Sequence, residues 1–191
     1  MVKRILATAL LTITSPAMAR DLRVKINFSP ESEKFAEATR EYQTIWQAEG
    51  ERIVAMMEQV SGLRFYETDI QAVVYEGVSY SGFLKTPMKM RASYPAEVKK
   101  ATLIHELGHR LLAFVPSTKE VDNHRVLFLV LYDVWTKLYG KDFADRSVEV
   151  EKKRKGLYDY EAAWQWALSL SAEERAAKFK ELAGKIQNQK K

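Results

Sequence analysis

Two histidines that enclose a glutamate are the first feature of this sequence that can do chemistry. Residues 105–109 read His-Glu-Leu-Gly-His. On a helix, His105 and His109 lie one turn apart on the same face, so both imidazoles can bind one metal ion. Glu106 then lies about 100° further round the helix, beside the ion, where it can take a proton from a metal-bound water. The spacing predicts a zinc site with Glu106 as the general base.

A third ligand is needed, because two histidines do not complete a catalytic zinc site. The chain has no cysteine, and its only other histidine is His124. An antiparallel helix pair that turns near Pro116 would put His124 level with His109, on the core-facing side of the next helix. Glu120, one turn nearer the connection, is the alternative ligand, and His124 would then hydrogen-bond a developing oxyanion. We favour His105, His109 and His124 as the ligands.

The elements that must position these residues are helices around a small sheet. Ser117 and Ser171 each precede a glutamate by three residues, which is the capping-box pattern that begins a helix. Apolar periodicity predicts helices over residues 30–62 (capped by Ser29), 95–114, 117–139 and 160–170, and from 171 onward. Two or three short strands are predicted among Ile70–Tyr75, Tyr80–Leu84 and Met88–Arg91. The predicted fold class is α+β, predominantly helical, with the sheet preceding the active-site helix.

The first nineteen residues have the layout of a secretory signal peptide. Lys3 and Arg4 precede an apolar run over residues 5–13, and residues 17–19 read Ala-Met-Ala, a cleavage pattern. The apolar run is too short to span a bilayer. We therefore expect cleavage near Ala19, export to the periplasm or the medium, and a single domain over residues 20–191 without a membrane span.

The charge pattern does not favour a nucleic-acid partner. The chain has 30 basic and 25 acidic residues, and its basic residues cluster at 152–155 and 185–191. Neither cluster has interleaved aromatic residues or a nucleic-acid-binding motif. We interpret them as a solvated loop and a helix end. The sequence does not indicate an oligomeric state.

The segment Leu103–Leu112, which contains the His-Glu-Leu-Gly-His motif, resembles the active-site helix of zincin metallopeptidases. The resemblance extends over roughly residues 65–140, with short strands before that helix and a ligand-bearing helix after it. It implies zinc as the cofactor and a peptide or protein as the substrate. It also implies that Met88–Arg91 is an edge strand that pairs with an extended peptide.

The chain departs from the known zincin subfamilies at the third ligand. Leu112 and Val115 stand where metzincins have glycine and histidine. The helix that follows lacks the Asn-Glu-x-x-Asp context of thermolysin-like gluzincins, and the Gly-Thr-x-Asp pattern is missing as well. The chain is thus gluzincin-like with an atypical third ligand. Tyr132 and Tyr139 follow His124, but their spacing favours packing over a role as a transition-state donor.

An exported zinc-dependent peptidase is the function that these features predict together. A metal-activated water, deprotonated by Glu106, would hydrolyse the peptide bond. Two alternatives stay open: a non-catalytic protein with structural zinc, and a metallohydrolase acting on another amide, such as a cell-wall peptide. Structural zinc fits less well, because three protein ligands leave a position open whereas structural sites close with four.

Overall fold

The computed structural model describes residues 23–155 and 158–188, so the predicted signal peptide lies outside the described residues. Helices make up 60% of the structure, beside one small sheet, which confirms the α+β class. The strands are β1 (Lys25–Pro30), β2 (Asp69–Tyr75) and β3 (Met88–Arg91). The helices are α1 (Ala36–Ser61), α2 (Ala96–Leu111), α3 (Asn123–Tyr139), α4 (Lys141–Lys152), α5 (Tyr160–Leu168) and α6 (Ala172–Asn188). None of the described helices combines the length and apolar character needed to cross a membrane.

The sheet is parallel throughout, with β2 between β1 and β3. Helix α1 connects β1 to β2, as a crossover between parallel strands requires. Ile70, Ala72 and Val74 of β2 are buried and alternate with more exposed residues. One face of the sheet therefore joins the core, and the helices pack around it.

Strand β1 replaces the beginning of the first predicted helix. The helix start predicted at Ser29 and Pro30 is wrong, because Pro30 ends β1 and α1 begins only at Ala36. Val24, Ile26 and Phe28 are buried at every second position, which is the period of a strand. Proline is acceptable there because β1 is an edge strand, where an N–H is not needed on the solvent side.

Strand β3 is at the end of the sheet, but its outer edge is occupied. Tyr80 and Lys89 exchange backbone hydrogen bonds of 3.1 and 2.9 Å in an antiparallel bridge. The Arg91 N–H donates to Ser79 Oγ at 3.0 Å. The expectation that β3 pairs with an extended peptide is therefore wrong. The strand predicted to begin at Tyr80 is reduced to this single bridge.

Helices α2 and α3 form the pair that carries the motif. A Cβ atom on Gly108 would overlap the side chain of Leu127, so the glycine permits the close approach of α3 to α2. Helix α3 begins at Asn123, six residues later than predicted, with Asp122 as its N-cap. The Asp122 carboxylate accepts a hydrogen bond from the Arg125 N–H at 2.9 Å. The capping box predicted at Ser117 is therefore wrong.

One predicted feature of the C-terminal helices is confirmed, and one of these helices was not predicted. At the start of α6, the Ser171 Oγ accepts from the Glu174 N–H at 3.2 Å, and the Glu174 carboxylate accepts from the Ser171 N–H at 2.7 Å. This capping box is confirmed. Helix α4 is absent from the sequence prediction, which places no helix between residues 139 and 160. Helix α4 packs next to α3, close to the predicted metal ligands.

Candidate metal centre

All three histidines of the chain converge between α2 and α3. One ring nitrogen from each of His105, His109 and His124 lies within 4.8 Å of the other two. The ring centroids are 5.0, 5.6 and 4.9 Å apart for the pairs 105–109, 105–124 and 109–124. Two of the rings come from successive turns of α2, and the third comes from the first turn of α3. The structure thus brings the three predicted ligands together.

Glu120, the alternative ligand, is not part of this cluster. It is an exposed residue of the connection between α2 and α3. Because α3 starts at Asn123, Glu120 does not lie one helical turn before His124, and it shares no face with it. The ligand set with Glu120 in place of His124 is therefore not supported by the structure.

Burial favours the neutral form of His109 and His124, which is the form that binds metal. Burial, reinforced by His105, lowers the pKa of His124 to about 4. The same two causes, in the same order, lower the pKa of His109 well below its usual value. Within the described chain, the Nδ1 atom of His124 is buried and has no hydrogen-bond partner. A bound metal would satisfy such an orphaned nitrogen.

The donor set fits a divalent metal ion. Nitrogens in a tetrahedral zinc site are about 3.4 Å apart when each lies about 2.0–2.1 Å from the ion, so small side-chain movements bring the three rings into range. Neutral imidazoles suit zinc and neighbouring transition metals. Three protein ligands leave one position for a substrate or a water molecule, which is the arrangement of catalytic sites.

Glu151, on α4, is the functional residue that sequence reasoning missed. Its Oε1 lies 2.7 Å from His105 Nδ1, and its Oε2 accepts a hydrogen bond from Trp164 Nε1 at 3.1 Å. Burial alone would raise the pKa of Glu151, but His105 and Arg154 outweigh it, and the net pKa is lowered. The ionised carboxylate therefore orients His105, so that its other nitrogen can bind metal.

A signal for Glu151 was present in the sequence. The buried residues of α4 recur at helical spacing among charged neighbours, namely Phe143, Ala144, Ser147, Val148 and Glu151. This is the pattern of an amphipathic helix whose buried stripe ends in a glutamate. Trp164 then secures the arrangement from α5, since its ring stacks on Phe128 with centroids 3.8 Å apart.

Replacement of Glu151 by glutamine should lower the metal affinity about 10- to 100-fold, the range expected when a carboxylate behind a ligating histidine is lost. Competition with a chromogenic chelator measures the change. Glu149→Gln is the matched control, because Glu149 is exposed on the same helix and pairs with Lys152 at 2.7 Å. Equal affinity in the Glu151 and Glu149 variants would contradict the orienting role.

Glu106 is buried on α2, and only 3% of its surface is exposed. Burial raises its pKa, although His105 and Arg154 act in the opposite direction. It lines the same cavity as the three histidines. A carboxylate with a raised pKa beside a metal site has the properties of a general base tuned towards neutral pH.

The raised pKa predicts that Glu106→Gln stabilises the metal-free protein at pH 7. Folding must keep an ionised Glu106 buried, so the carboxylate destabilises the folded state above its unfolded pKa, and a neutral glutamine relieves this. We expect a gain of about 0.5–2 kcal/mol at pH 7. The gain should vanish below about pH 4, where the carboxyl is protonated in both states. Urea unfolding with a chelator present measures it. A gain that persists unchanged at low pH would contradict this explanation.

A cavity of about 760 Å³ opens onto the histidines, within the range of small-molecule and peptide sites. Its walls come from residues 78–81, from α2, from the start of α3, from residues 153–155 and from Tyr158 and Tyr160. A second cavity, of about 520 Å³, lies beside α1 and has no histidine in its lining. Its buried carboxylate, Glu58, is already paired with Arg23 and Arg64. The first cavity is therefore the candidate site.

Two tyrosines lie against His124: Tyr158, from the connection between α4 and α5, and Tyr160, the first residue of α5. The ring centroids of Tyr158 and Tyr160 lie 4.3 and 4.6 Å from that of His124. Burial raises the pKa of Tyr160 to about 12, so its hydroxyl stays protonated and can donate a hydrogen bond. The tyrosines considered from the sequence lie elsewhere: the Tyr132 hydroxyl donates to Asp145 at 2.8 Å, and Tyr139 packs on Phe143.

Arg154 contradicts the interpretation of residues 152–155 as a solvated loop. Only 17% of its side chain is exposed. Its Nη2 donates to Thr102 Oγ1 at 2.9 Å, and its Nη1 lies 3.4 Å from Glu151. Burial would lower the pKa of Arg154, but Glu151 outweighs it and the pKa is raised. A permanent positive charge therefore lies next to the candidate metal centre.

No protein-family model, curated protein or solved structure matches this chain.

Proposed function

We propose that this protein is a zinc-dependent peptidase, exported after removal of the first 19 residues. The observation that carries the proposal is the meeting of three histidines and the buried Glu106 in one cavity. A site of this composition has the parts of hydrolytic zinc enzymes: neutral ligands, an open position and an adjacent carboxylate. The peptidase assignment also draws on the resemblance of the α2 motif to that of zincins.

Different residues of the chain bind the metal and transfer the proton during hydrolysis. His105, His109 and His124 hold the metal. Zinc bound there would polarise the scissile carbonyl and lower the pKa of water. Glu106 accepts a proton from the attacking water and returns it to the leaving amine. The burial of Glu106 assists, because its raised pKa makes the carboxylate a better proton acceptor than an exposed glutamate.

Metal removal and restoration test the proposal. Mature protein should contain about one zinc ion per chain, measured by elemental mass spectrometry. It should cleave members of a mixed peptide library, with the products identified by mass spectrometry. Cleavage should disappear on dialysis against a chelator and return when zinc is added. Folded, zinc-loaded protein that cleaves no peptide would overturn the proposal.

We assign to Tyr160 the donation of a hydrogen bond to the oxyanion that develops during attack. Its ring lies beside His124, and its hydroxyl stays protonated. Tyr160→Phe should lower kcat about 100-fold or more, as expected for one oxyanion donor, while KM and zinc content change little. Steady-state kinetics on a cleaved library peptide measure this. Tyr132→Phe is the control, because that hydroxyl bonds Asp145 outside the cavity. An unchanged kcat in Tyr160→Phe would remove the residue from the mechanism.

The alternative of a non-catalytic zinc protein accounts for less of the site. In a non-catalytic protein, Glu106 would have no function in the cavity wall, although the burial of its carboxylate opposes folding. This alternative would also leave open the position that structural zinc sites normally close with a fourth ligand.

A further inference from the structure

The lining of the cavity is unusually rich in positive charge. Four of the described lining residues are cationic, namely Arg91, Lys153, Arg154 and Lys155. Glu106 is the sole acidic side chain among those lining residues. Because a concave site with charge of one sign concentrates the field, the cavity should attract anions.

The excess charge comes from the connection between α4 and α5. Arg91 is partly neutralised, since its Nε donates to Glu76 at 2.6 Å. Lys153 and Lys155 have no ion-pair partner within residues 23–155 and 158–188. We call Lys153, Arg154 and Lys155 the basic wall. Its two lysines are free to meet an anion from outside.

Arg154, whose side chain is only 17% exposed, is the anchor of the basic wall. Its one ion pair in the described structure is with Glu151 at 3.4 Å, a carboxylate that is shared with His105 and Trp164. Glu106 adds a further electrostatic attraction without forming an ion pair. Its Nε atom is buried and has no hydrogen-bond partner among the described residues. A buried cation that is incompletely paired is stabilised by an additional anion. The three imidazole ligands are neutral and would leave the charge of a bound metal uncancelled, which adds to the effect.

We propose that the cavity selects peptides that carry a carboxylate next to the cleaved bond. Arg154 would hold the carboxylate, and the two lysines would increase its local concentration. The carboxylate belongs either to an acidic side chain or to the C-terminus of the peptide. This proposal rests on the proposed peptidase function for the meaning of the cleaved bond, but the charge selection itself can be measured by binding.

The test compares three matched peptides by titration calorimetry with the zinc-loaded Glu106→Gln variant, which should not consume them. One contains an internal glutamate and an amidated end, the second has glutamine in that place and an amidated end, and the third has the glutamine and a free carboxylate. We expect the first or the third to bind at least about tenfold more tightly than the second. The advantage should shrink as salt is raised, because exposed charges are screened. The tighter peptide identifies the source of the carboxylate.

A second comparison is needed because Glu106→Gln itself removes a negative charge from the cavity. Replacing both Lys153 and Lys155 by glutamine should reduce the preference for the carboxylate peptide about threefold or more. Lys152→Gln is the matched control, because Lys152 is the adjacent cation, pairs with Glu149 and does not line the cavity. The double lysine variant and the Lys152→Gln control are each measured in the Glu106→Gln background. They are also measured in the wild-type background, by competition between the peptides. A preference unaffected by removal of both lysines would overturn their part in the basic wall.

The outcomes separate this inference from the proposed function. Equal affinity for all three peptides would overturn the charge selection, even if the wild-type protein cleaves peptides. A clear carboxylate preference in a zinc-loaded protein that cleaves none of them would support the selection and overturn the peptidase. Arg154→Lys tests the anchor, since it keeps the charge and loses the planar fork. We expect weaker binding of the carboxylate peptide in that variant and little change for the neutral one.

Discussion

Glu106→Gln should keep its zinc and lose about 10²- to 10⁴-fold in kcat for peptide hydrolysis. Glutamine has the shape of glutamate but cannot accept the proton of the attacking water, and general base catalysis is worth this much in enzymes. Metal binding should survive because the three histidines are unchanged. Elemental analysis and steady-state kinetics on one library peptide, measured on the same preparation, give both quantities.

The control for this change is Glu97→Gln. Glu97 belongs to the same helix, but its carboxylate lies at the surface, where it pairs with Arg146 at 2.8 Å. It should leave kcat unaltered. Undiminished hydrolysis by Glu106→Gln would contradict the assigned mechanism. Loss of zinc in that variant would instead indicate that Glu106 supports the metal rather than the proton transfer.

His124→Ala should reduce the zinc affinity at least about 100-fold. Removing one of three protein ligands lowers the metal affinity more than removing a residue that only orients a ligand. Loss of an orienting residue usually lowers the affinity about 10- to 100-fold. We therefore expect His124→Ala to lower the zinc affinity more than Glu151→Gln does. Activity should fall in parallel when zinc is limiting. Chelator competition measures the affinity, and circular dichroism confirms that the fold is retained.

Glu120→Ala provides the matched comparison for the third ligand. Glu120 was the alternative to His124 in the sequence, and in the structure it is an exposed residue of the connection. Its replacement should leave zinc affinity and activity unchanged. Full zinc occupancy in His124→Ala, together with loss in Glu120→Ala, would reverse the assignment.

The parts of the site that are local in sequence could be predicted from the sequence. His105, Glu106 and His109 belong to one helix, and helical geometry alone places them relative to one another. The apolar period that reveals α2 is also local, as is the Ser171 capping box of α6. For His124, the sequence offered a sound argument from helix pairing, but it left Glu120 open because the start of α3 depends on whether Ser117 or Asp122 caps it.

The parts that depend on contacts between distant elements required the tertiary structure. Glu151 reaches His105 only because α4 packs beside α2 and α3, and no spacing rule connects residues so far apart in the chain. Arg154 looked like part of a solvated basic run, yet the fold buries it against Thr102. The edge of β3 was expected to be free, but Tyr80 folds back onto it.

The sequence by itself therefore determined the composition of the candidate site: a helical histidine pair, a glutamate between them and a single further histidine. The tertiary structure decided which side chains surround these residues. It brought the third histidine into the cluster, put a carboxylate behind the first, and lined the cavity with the basic wall. The physical reason is that backbone periodicity and capping act within a few residues, whereas the burial of charge is settled by the packing of whole elements against one another.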